Sequence, residues 1–267
     1  KGRKLKIPDI AQILSLGITK IKVYKKPLVG LFSTGDEIAN LYTKKKKFQI
    51  YDVNKYLLMS LFSKIGCEVI DLGIIEDDLE KTKKLILKSN KYDLLVTSGG
   101  ISKSYTDNVS KIMTNYGDLL FWRIKIKPGR PFAFGKIKQS FFIGFPGNPV
   151  AAVVTFLMLA TSFIKKLSGN ENYKNVPDYL ISDFSMKKKK NRVEWLRGNF
   201  INKNKNKVLR KFHTTGSGII SSLSQSNGII EIDEKVEEIT KGNILKFFKY
   251  QDLLNWKSYI LQESQRN

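Results

Sequence analysis

Three short segments of this 267-residue chain combine residue types that could do chemistry on a phosphate. Ser33-Thr34-Gly35-Asp36-Glu37 offers two hydroxyls, two carboxylates and a glycine that lets a ligand approach the backbone. Thr97-Ser98-Gly99-Gly100-Ile101-Ser102 supplies hydroxyls and a glycine pair whose amides can cradle a phosphate, and Asp107 follows at the expected start of a helix. Lys125-Ile126-Lys127-Pro128-Gly129-Arg130-Pro131 puts cations in a stiff loop, while Pro146-Gly147-Asn148 opens a helix N-terminus, a natural anion site. Oxygen donors for a hard cation beside basic groups for an oxyanion suit metal-assisted phosphoryl chemistry. Each piece also has a plainer reading. Gly-Gly after a strand is commonly a tight turn, Asp107 a helix cap, Glu37 a solvated loop residue and Lys127 one more surface lysine. Only convergence in space separates the two readings.

The elements around these segments predict that convergence. Leu28-Val29-Gly30-Leu31-Phe32 reads as a buried strand running into the first segment. Asp52 can cap a helix with Val53, Leu57, Leu61 and Ile65 on one face and Gly66 at its end. A strand at 67–72, a turn at 73–78, an amphipathic helix at 79–88 and a strand at 92–97 follow. A helix at 107–116 leads to strand-like segments at 121–127, 132–137 and 140–144. Asn148 caps and Pro149 opens an apolar helix over 150–164, with Gly169 as its end. Repeated strand-helix-strand order implies a mainly parallel sheet with helices on both faces, and such sheets bind ligands beyond the carboxyl ends of their strands. From Asn172 to about Phe248 the runs shorten, with turn glycines at 198, 216, 218, 228 and 242, which predicts a small all-β unit. The expected division is a stub of another domain at 1–25, an α/β domain at 26–170, a small β domain at 171–250 and an extension at 251–267. That extension carries a short helix at 252–262.

Composition narrows the chemistry further. One cysteine, Cys67, excludes an internal disulfide framework and fits a reducing, cytoplasmic setting; in Cys67-Glu68-Val69-Ile70 it reads as a small core residue. One histidine, His213, argues against a histidine-based triad, so a metal here would rest mainly on oxygen ligands. The net charge of +23 raises nucleic-acid binding. Its lysines lie in dispersed runs, however, such as Lys44-Lys45-Lys46-Lys47 and Asn202-Lys203-Asn204-Lys205-Asn206-Lys207, without an aromatic-basic signature. The expectation is no nucleic-acid partner; a small polyanion would exploit the same field. The 150–164 run is interrupted by Thr155, Thr161 and Ser162 and is shorter than the roughly 20 residues of a membrane span, so it reads as a buried helix and no membrane is expected.

In order along the chain, 29–38, Gln49-Ile50-Tyr51-Asp52, Leu72-Gly73-Ile74-Ile75, Ser98-Gly99-Gly100-Ile101-Ser102, Phe121-Trp122 through Lys127-Pro128-Gly129-Arg130-Pro131-Phe132-Ala133-Phe134-Gly135, and Pro146-Gly147-Asn148-Pro149-Val150 resemble the molybdopterin molybdenumtransferase family. The family includes the C-terminal enzyme domain of gephyrin. The likeness continues more weakly through Arg192, Arg197-Gly198 and Gly216-Ser217. It implies a three-layer α/β molybdopterin-binding domain followed by a small β-barrel. It also implies the reaction: adenylylated molybdopterin plus molybdate gives molybdenum cofactor and AMP, assisted by a divalent cation, usually magnesium. By position Asp36, Glu37, Asp78 and Asp107 match the family's acidic site residues, with Glu37, Asp107 and Lys127 as the catalytic set. Arg123, Lys127, Arg130 and Arg192 match the basic residues suited to phosphate or molybdate, and Ser217 joins the substrate-binding set. On this resemblance residues 1–25 end an N-terminal region that helps form a homodimer.

Two departures stand out. The family carries a small residue, glycine and glutamate where this chain has Lys103-Ser104-Tyr105, and lysine is common where Arg123 stands. The first favours an alternative, a non-catalytic or decayed molybdopterin-fold binding module. A second alternative is an enzyme of the competence-damage-inducible type acting on pyridine nucleotide metabolites. The 121–135 segment and the trailing β unit argue against that one.

Overall fold

The computed structural model of the chain describes residues 2–101, 107–171, 173–203, 206–214, 216 and 218–254. Helix α1 (Ile7–Ser15) precedes the first sheet and buries none of its residues. Strand β1 (Leu28–Thr34) is buried almost throughout, as expected of an inner parallel strand. Short strands β2 (Ile38–Ala39) and β3 (Ile50–Tyr51) pair with each other, and helix α2 (Val53–Lys64) follows. Strand β4 (Glu68–Ile75), helix α3 (Leu79–Leu87), strand β5 (Leu94–Ser98), helix α4 (Asn108–Tyr116) and strand β6 (Asp118–Trp122) continue the alternation. After β7 (Ile126–Lys127) come β8 (Ala133–Ile137), β9 (Ser140–Phe145), α5 (Pro149–Thr155) and α6 (Thr161–Leu167), the last two joined by a π turn over Phe156–Ala160.

The first sheet has the order β4-β1-β5-β9-β8-β6; β4, β1, β5 and β9 are parallel, while β8 runs against both its neighbours. Alternation along the strands makes three layers. Val29, Leu31, Leu94, Val96, Ile143 and Phe145 face Leu58 and Phe62 of α2 and the apolar side of α5 and α6. Phe32, Leu95 and Phe142 face Ile86 of α3 and Ile112 and Met113 of α4. Phe62 meets Phe156 edge-on at 4.9 Å between ring centroids. Burying each such ring contributes on the order of 2–3 kcal/mol.

The second sheet closes on itself. Strands β10 (Asp178–Ser182), β12 (Val193–Lys203), β13 (Asn206–Lys211), β14 (Gly228–Ile232) and β16 (Ile244–Lys249) form a five-stranded barrel in the order β13-β10-β16-β14-β12, closed by the pairing of β12 with β13. A short antiparallel pair, β11 (Met186–Lys187) with β15 (Glu238–Ile239), and two short helices, α7 (Ser221–Ser224) and α8 (Tyr250–Leu254), complete it. The barrel has its own core around Leu209, Ile230 and Phe247. Trp195, Ile229, Phe248 and Leu253 pack into the core of the first sheet.

Caps fall where the side chains predict. Asp52, Asp78, Asp107 and Asn148 each accept a hydrogen bond from the first turn of the helix they precede. Two expectations are corrected. The turn expected at 73–78 begins too early: β4 runs through Ile75, and Gly73, with φ 83°, sits in a bulge where the pairing of β1 with β4 shifts register. The segment 121–127 is not one strand, because Arg123 at φ 66° breaks it and β7 leaves to pair with β12 in the barrel sheet. Of the helix expected at 252–262, residues 252–254 fall in α8 (Tyr250–Leu254) and the rest lies outside the described residues. The continuous helix Pro149–Leu167 is long and apolar enough to cross a membrane by length and composition, but its most apolar window is 67% buried inside the fold, as a core helix is. Thr155 and Thr161, which interrupt its apolar run, are buried by returning their hydroxyls to the helix carbonyls of Ala151 and Phe156.

Candidate active site

The pairings Ser33↔Ser98 and Ser98↔Phe145 bring the carboxyl ends of β1, β5 and β9 level. The backbone N–H of Gly99 donates to the Phe145 carbonyl at 3.1 Å, which ties the loop after β5 to the end of β9. Gly99 and Gly100 have φ values of 83° and 67°, a left-handed pair that only glycine adopts readily. At Gly100 a Cβ would collide with Thr34 Cγ2 and stand 3.4 Å from Asp107 Oδ1, so the end of β1, the Gly-Gly loop and the start of α4 are in direct apposition. Asp107 Oδ1 accepts from the Val109 N–H at 3.2 Å. It caps α4 and lies beside the Gly-Gly loop at once.

Ser33 and Thr34 end β1, both buried and with hydroxyls that take no hydrogen bond among the described residues; alternation along the strand puts them on opposite faces of the sheet, Thr34 toward Gly100. Hydroxyls at the end of β1 can hydrogen-bond a ligand that reaches the carboxyl edge of the sheet. Beside them, Gly35 at φ 136° is covered by the Glu37 side chain: a Cβ there would stand 2.6 Å from Glu37 Oε2. The opposite wall is the Pro146-Gly147-Asn148 turn. Asn54, from α2, donates to the Gly147 carbonyl at 2.8 Å, and Asn148 caps α5 through Ala151 N at 3.5 Å.

The acidic residues divide. Asp36 Oδ1 accepts from the Asp77 N–H at 3.1 Å and Asp78 Oδ1 from Lys81 N at 2.8 Å, which holds this pair toward the β4 flank. Asp107 stands at the β5 side. Among the described residues no three acidic, cysteine or histidine side chains gather into a ready metal cage. A hard cation would therefore use one or two of these carboxylates together with oxygens of a bound phosphate, the arrangement magnesium favours. Cys67 takes no part: burial pushes its thiol up to about 12, far from a reactive thiolate.

The 123–132 loop, with Arg123, Lys127 and Arg130, lies farther along the same edge. β6 runs in the same direction as β9, so the 123–132 loop leaves from the carboxyl side, four strand spacings or about 19 Å from β1. Arg123 and Arg130 are exposed, and Ile124 N donates to the Arg130 carbonyl at 3.0 Å to close the loop. Gly129 seats the loop on α5, where a Cβ would collide with Thr155. Lys127 and Arg192 meet across the pairing of β7 with β12, held by a residue that sequence reasoning missed: Glu194, only 1% exposed, lies 3.7 Å from Lys127 Nζ and 2.6 Å from Arg192 Nη2. The signal was a carboxylate inside the run Val193-Glu194-Trp195-Leu196. Arg197, also buried, donates to Ser222 Oγ at 3.1 Å and to the Gly216 carbonyl at 2.9 Å. Ser102, Ser217 and the divergent Lys103-Ser104-Tyr105 lie outside the described residues.

A family model described as "Probable molybdopterin binding domain" matches residues 30–166, the stretch that builds this edge. The chain belongs to the molybdopterin-binding domain family. A second model, "MoeA C-terminal region (domain IV)", matches residues 179–249, the barrel. This molybdopterin-binding-domain protein is 35% identical over 257 residues to a molybdopterin molybdenumtransferase of Haemophilus influenzae, with 95% of this chain and 64% of that protein covered. It is 31% identical over 198 residues to gephyrin of Dictyostelium discoideum, covering 63% of this chain and 28% of gephyrin. The solved structure of the molybdopterin biosynthesis MoeA protein of Pyrococcus horikoshii superposes with a TM-score of 0.78 at 29% identity, over 96% of this chain and 62% of that one. The chain thus spans somewhat under two thirds of the length of the Haemophilus and Pyrococcus proteins and under a third of gephyrin.

Proposed function

We propose that the whole protein inserts molybdenum into the molybdenum cofactor, converting adenylylated molybdopterin and molybdate to the cofactor with release of AMP. One observation carries this reading: Thr34 at the end of β1, the Gly99-Gly100 loop and Asp107 stand in direct apposition at the carboxyl edge of a sheet of this family. The relatives named for molybdenum transfer support it. The distance from that junction to the 123–132 loop suits an extended ligand with a nucleotide and a pterin at its two ends.

In this reading the amides of Gly99 and Gly100 and the hydroxyls of Ser33, Thr34 and Ser98 bind the phosphates, and Gly35 lets them approach β1. The N-terminus at Pro146-Gly147-Asn148 adds its partial positive charge. Glu37 and Asp107 would hold magnesium, with Asp36 and Asp78 behind them; the cation supplies charge neutralisation at the phosphoanhydride. Lys127, Arg123, Arg130 and Arg192, toward the pterin end, receive the incoming molybdate. Ser102 and Ser217 join the substrate-binding set on family position alone. A cytoplasmic setting, consistent with the lone reduced Cys67, belongs to the same proposal. So does a homodimer of the whole protein, for which Ile7, Ile10 and Leu14 on α1 expose apolar surface.

The runner-up is a non-catalytic molybdopterin-fold module, favoured by Lys103-Ser104-Tyr105 beside Asp107. The whole protein, given adenylylated molybdopterin and magnesium, decides between them. AMP that accumulates only when molybdate is added supports the transferase. Tight binding of the nucleotide without AMP release under any of these conditions makes it the binding module.

A further inference from the structure

Glu194 is a charged residue in an almost solvent-free place, 1% exposed at the start of β12. Its Oε1 accepts from Arg192 Nε at 2.9 Å and Nη2 at 2.6 Å. Its Oε2 lies 3.7 Å from Lys127 Nζ, an ion pair too long for a hydrogen bond, and takes no hydrogen bond among the described residues. The two cations come from different parts of the chain and are brought together by the register Glu194↔Lys127 between β12 and β7. A carboxylate removed from water is costly unless paired, so Glu194 keeps both cations where β7 joins the barrel sheet. Both cations remain partly open to solvent, Lys127 at 41% and Arg192 at 30%. Arg192 spends two of its five N–H groups on Glu194, and Lys127 spends none of its three there. The trio carries a net charge of one, where the cations alone would carry two.

We propose that Glu194 is an affinity-setting residue, a built-in carboxylate that fixes Lys127 and Arg192 as an open pair and competes electrostatically with the tetrahedral oxyanion dianion they receive. This rests on the proposed molybdenum insertion for the identity of the oxyanion, molybdate. A site that delivers its oxyanion to another acceptor gains nothing from holding it very tightly, because binding that is equal in ground and transition states does not speed the transfer. Glu194 supplies that restraint while keeping Arg192 in place.

The test is calorimetric titration of molybdate into the whole protein, without turnover, comparing wild type with Glu194→Gln. The amide oxygen can still accept from Arg192, but the charge is gone. The molybdate Kd is expected to fall about tenfold, the size expected for removing one nearby charge from a dianion in a largely aqueous dielectric. An unchanged Kd with only a lower Tm makes Glu194 merely structural and overturns the proposal; so does weaker binding, or no binding of molybdate to either protein. If Glu194→Gln does not fold, Glu194→Asp, which keeps the charge, is expected to leave Kd within about threefold of wild type by the same electrostatic argument. A tenfold tightening there overturns it equally. AMP release is scored separately: molybdate-dependent AMP with an unchanged Kd sinks this inference alone, and tightening without any AMP sinks the transferase reading alone.

Discussion

Gly100 packs against Thr34 so closely that no side chain fits between them: a Cβ would collide with Thr34 Cγ2 and lie 2.9 Å from Val109 Cγ2, and the backbone is already at φ 67°. Left-handed strain and overpacking add here, so Gly100→Ala is expected to destabilise the protein by about 2 kcal/mol or more. Gly147, on the other wall, has nothing within 4 Å of a Cβ and no positive φ. Gly147→Ala should change stability by no more than about 0.5 kcal/mol. Urea unfolding of both variants measures the contrast; equal stabilities would mean the Gly-Gly loop does not rest on β1.

Much of this edge was legible in the sequence because inner parallel strands are apolar runs and their ends are marked by Gly, Ser and Asp. β1, β5 and the caps Asp52, Asp107 and Asn148 follow from that pattern. What was not legible depended on partners distant in sequence. Gly73 looks like a turn until its neighbour strand imposes a bulge. The segment 121–127 looks like one strand because nothing local says that Ile126 will pair with Val193. Glu194 in an alternating strand reads as a solvent-facing position; only the two cations brought to it explain its burial.

Lys165 gives the fold a pH dependence. It is fully buried, donates to the Leu253 carbonyl at 2.9 Å and sits 3.9 Å from the Tyr173 ring centroid. Burial first, and the charge of Lys4 second, pull its pKa down from 10.5 to about 8. Between those values the unfolded chain binds more protons at this site than the folded one. Stability should therefore rise with pH from about 8 to about 10.5. Below that window the cost of the buried charge is fully present. Lys165→Met removes this contribution, so the difference in Tm between wild type and variant should shift in favour of wild type as pH rises across the window. A pH-independent difference would contradict the assignment.

The net charge of +23 should not translate into nucleic-acid recognition. Lys44 to Lys47 lie in an exposed loop, and Lys187 and Lys189 are likewise exposed. DNA and RNA should bind weakly, without sequence preference, and lose affinity steeply with salt. Filter binding at near-physiological salt checks this; nanomolar, sequence-dependent binding would contradict it.

The central claim is that Glu37 and Asp107 act through their charge on the phosphoanhydride, and Asp107 offers the cleaner substitution. Its side chain caps α4, and asparagine caps as well as aspartate, so Asp107→Asn should fold normally and still bind the pterin nucleotide. Glu37→Gln is its companion, and Lys46→Gln, on an exposed loop, the control. The measurement is AMP produced per minute by the whole protein from adenylylated molybdopterin with molybdate and magnesium. Each carboxylate variant should fall by about 10²-fold or more, the loss of one electrostatic stabiliser, with Lys46→Gln unchanged. Wild-type rates in both Glu37→Gln and Asp107→Asn would contradict the account.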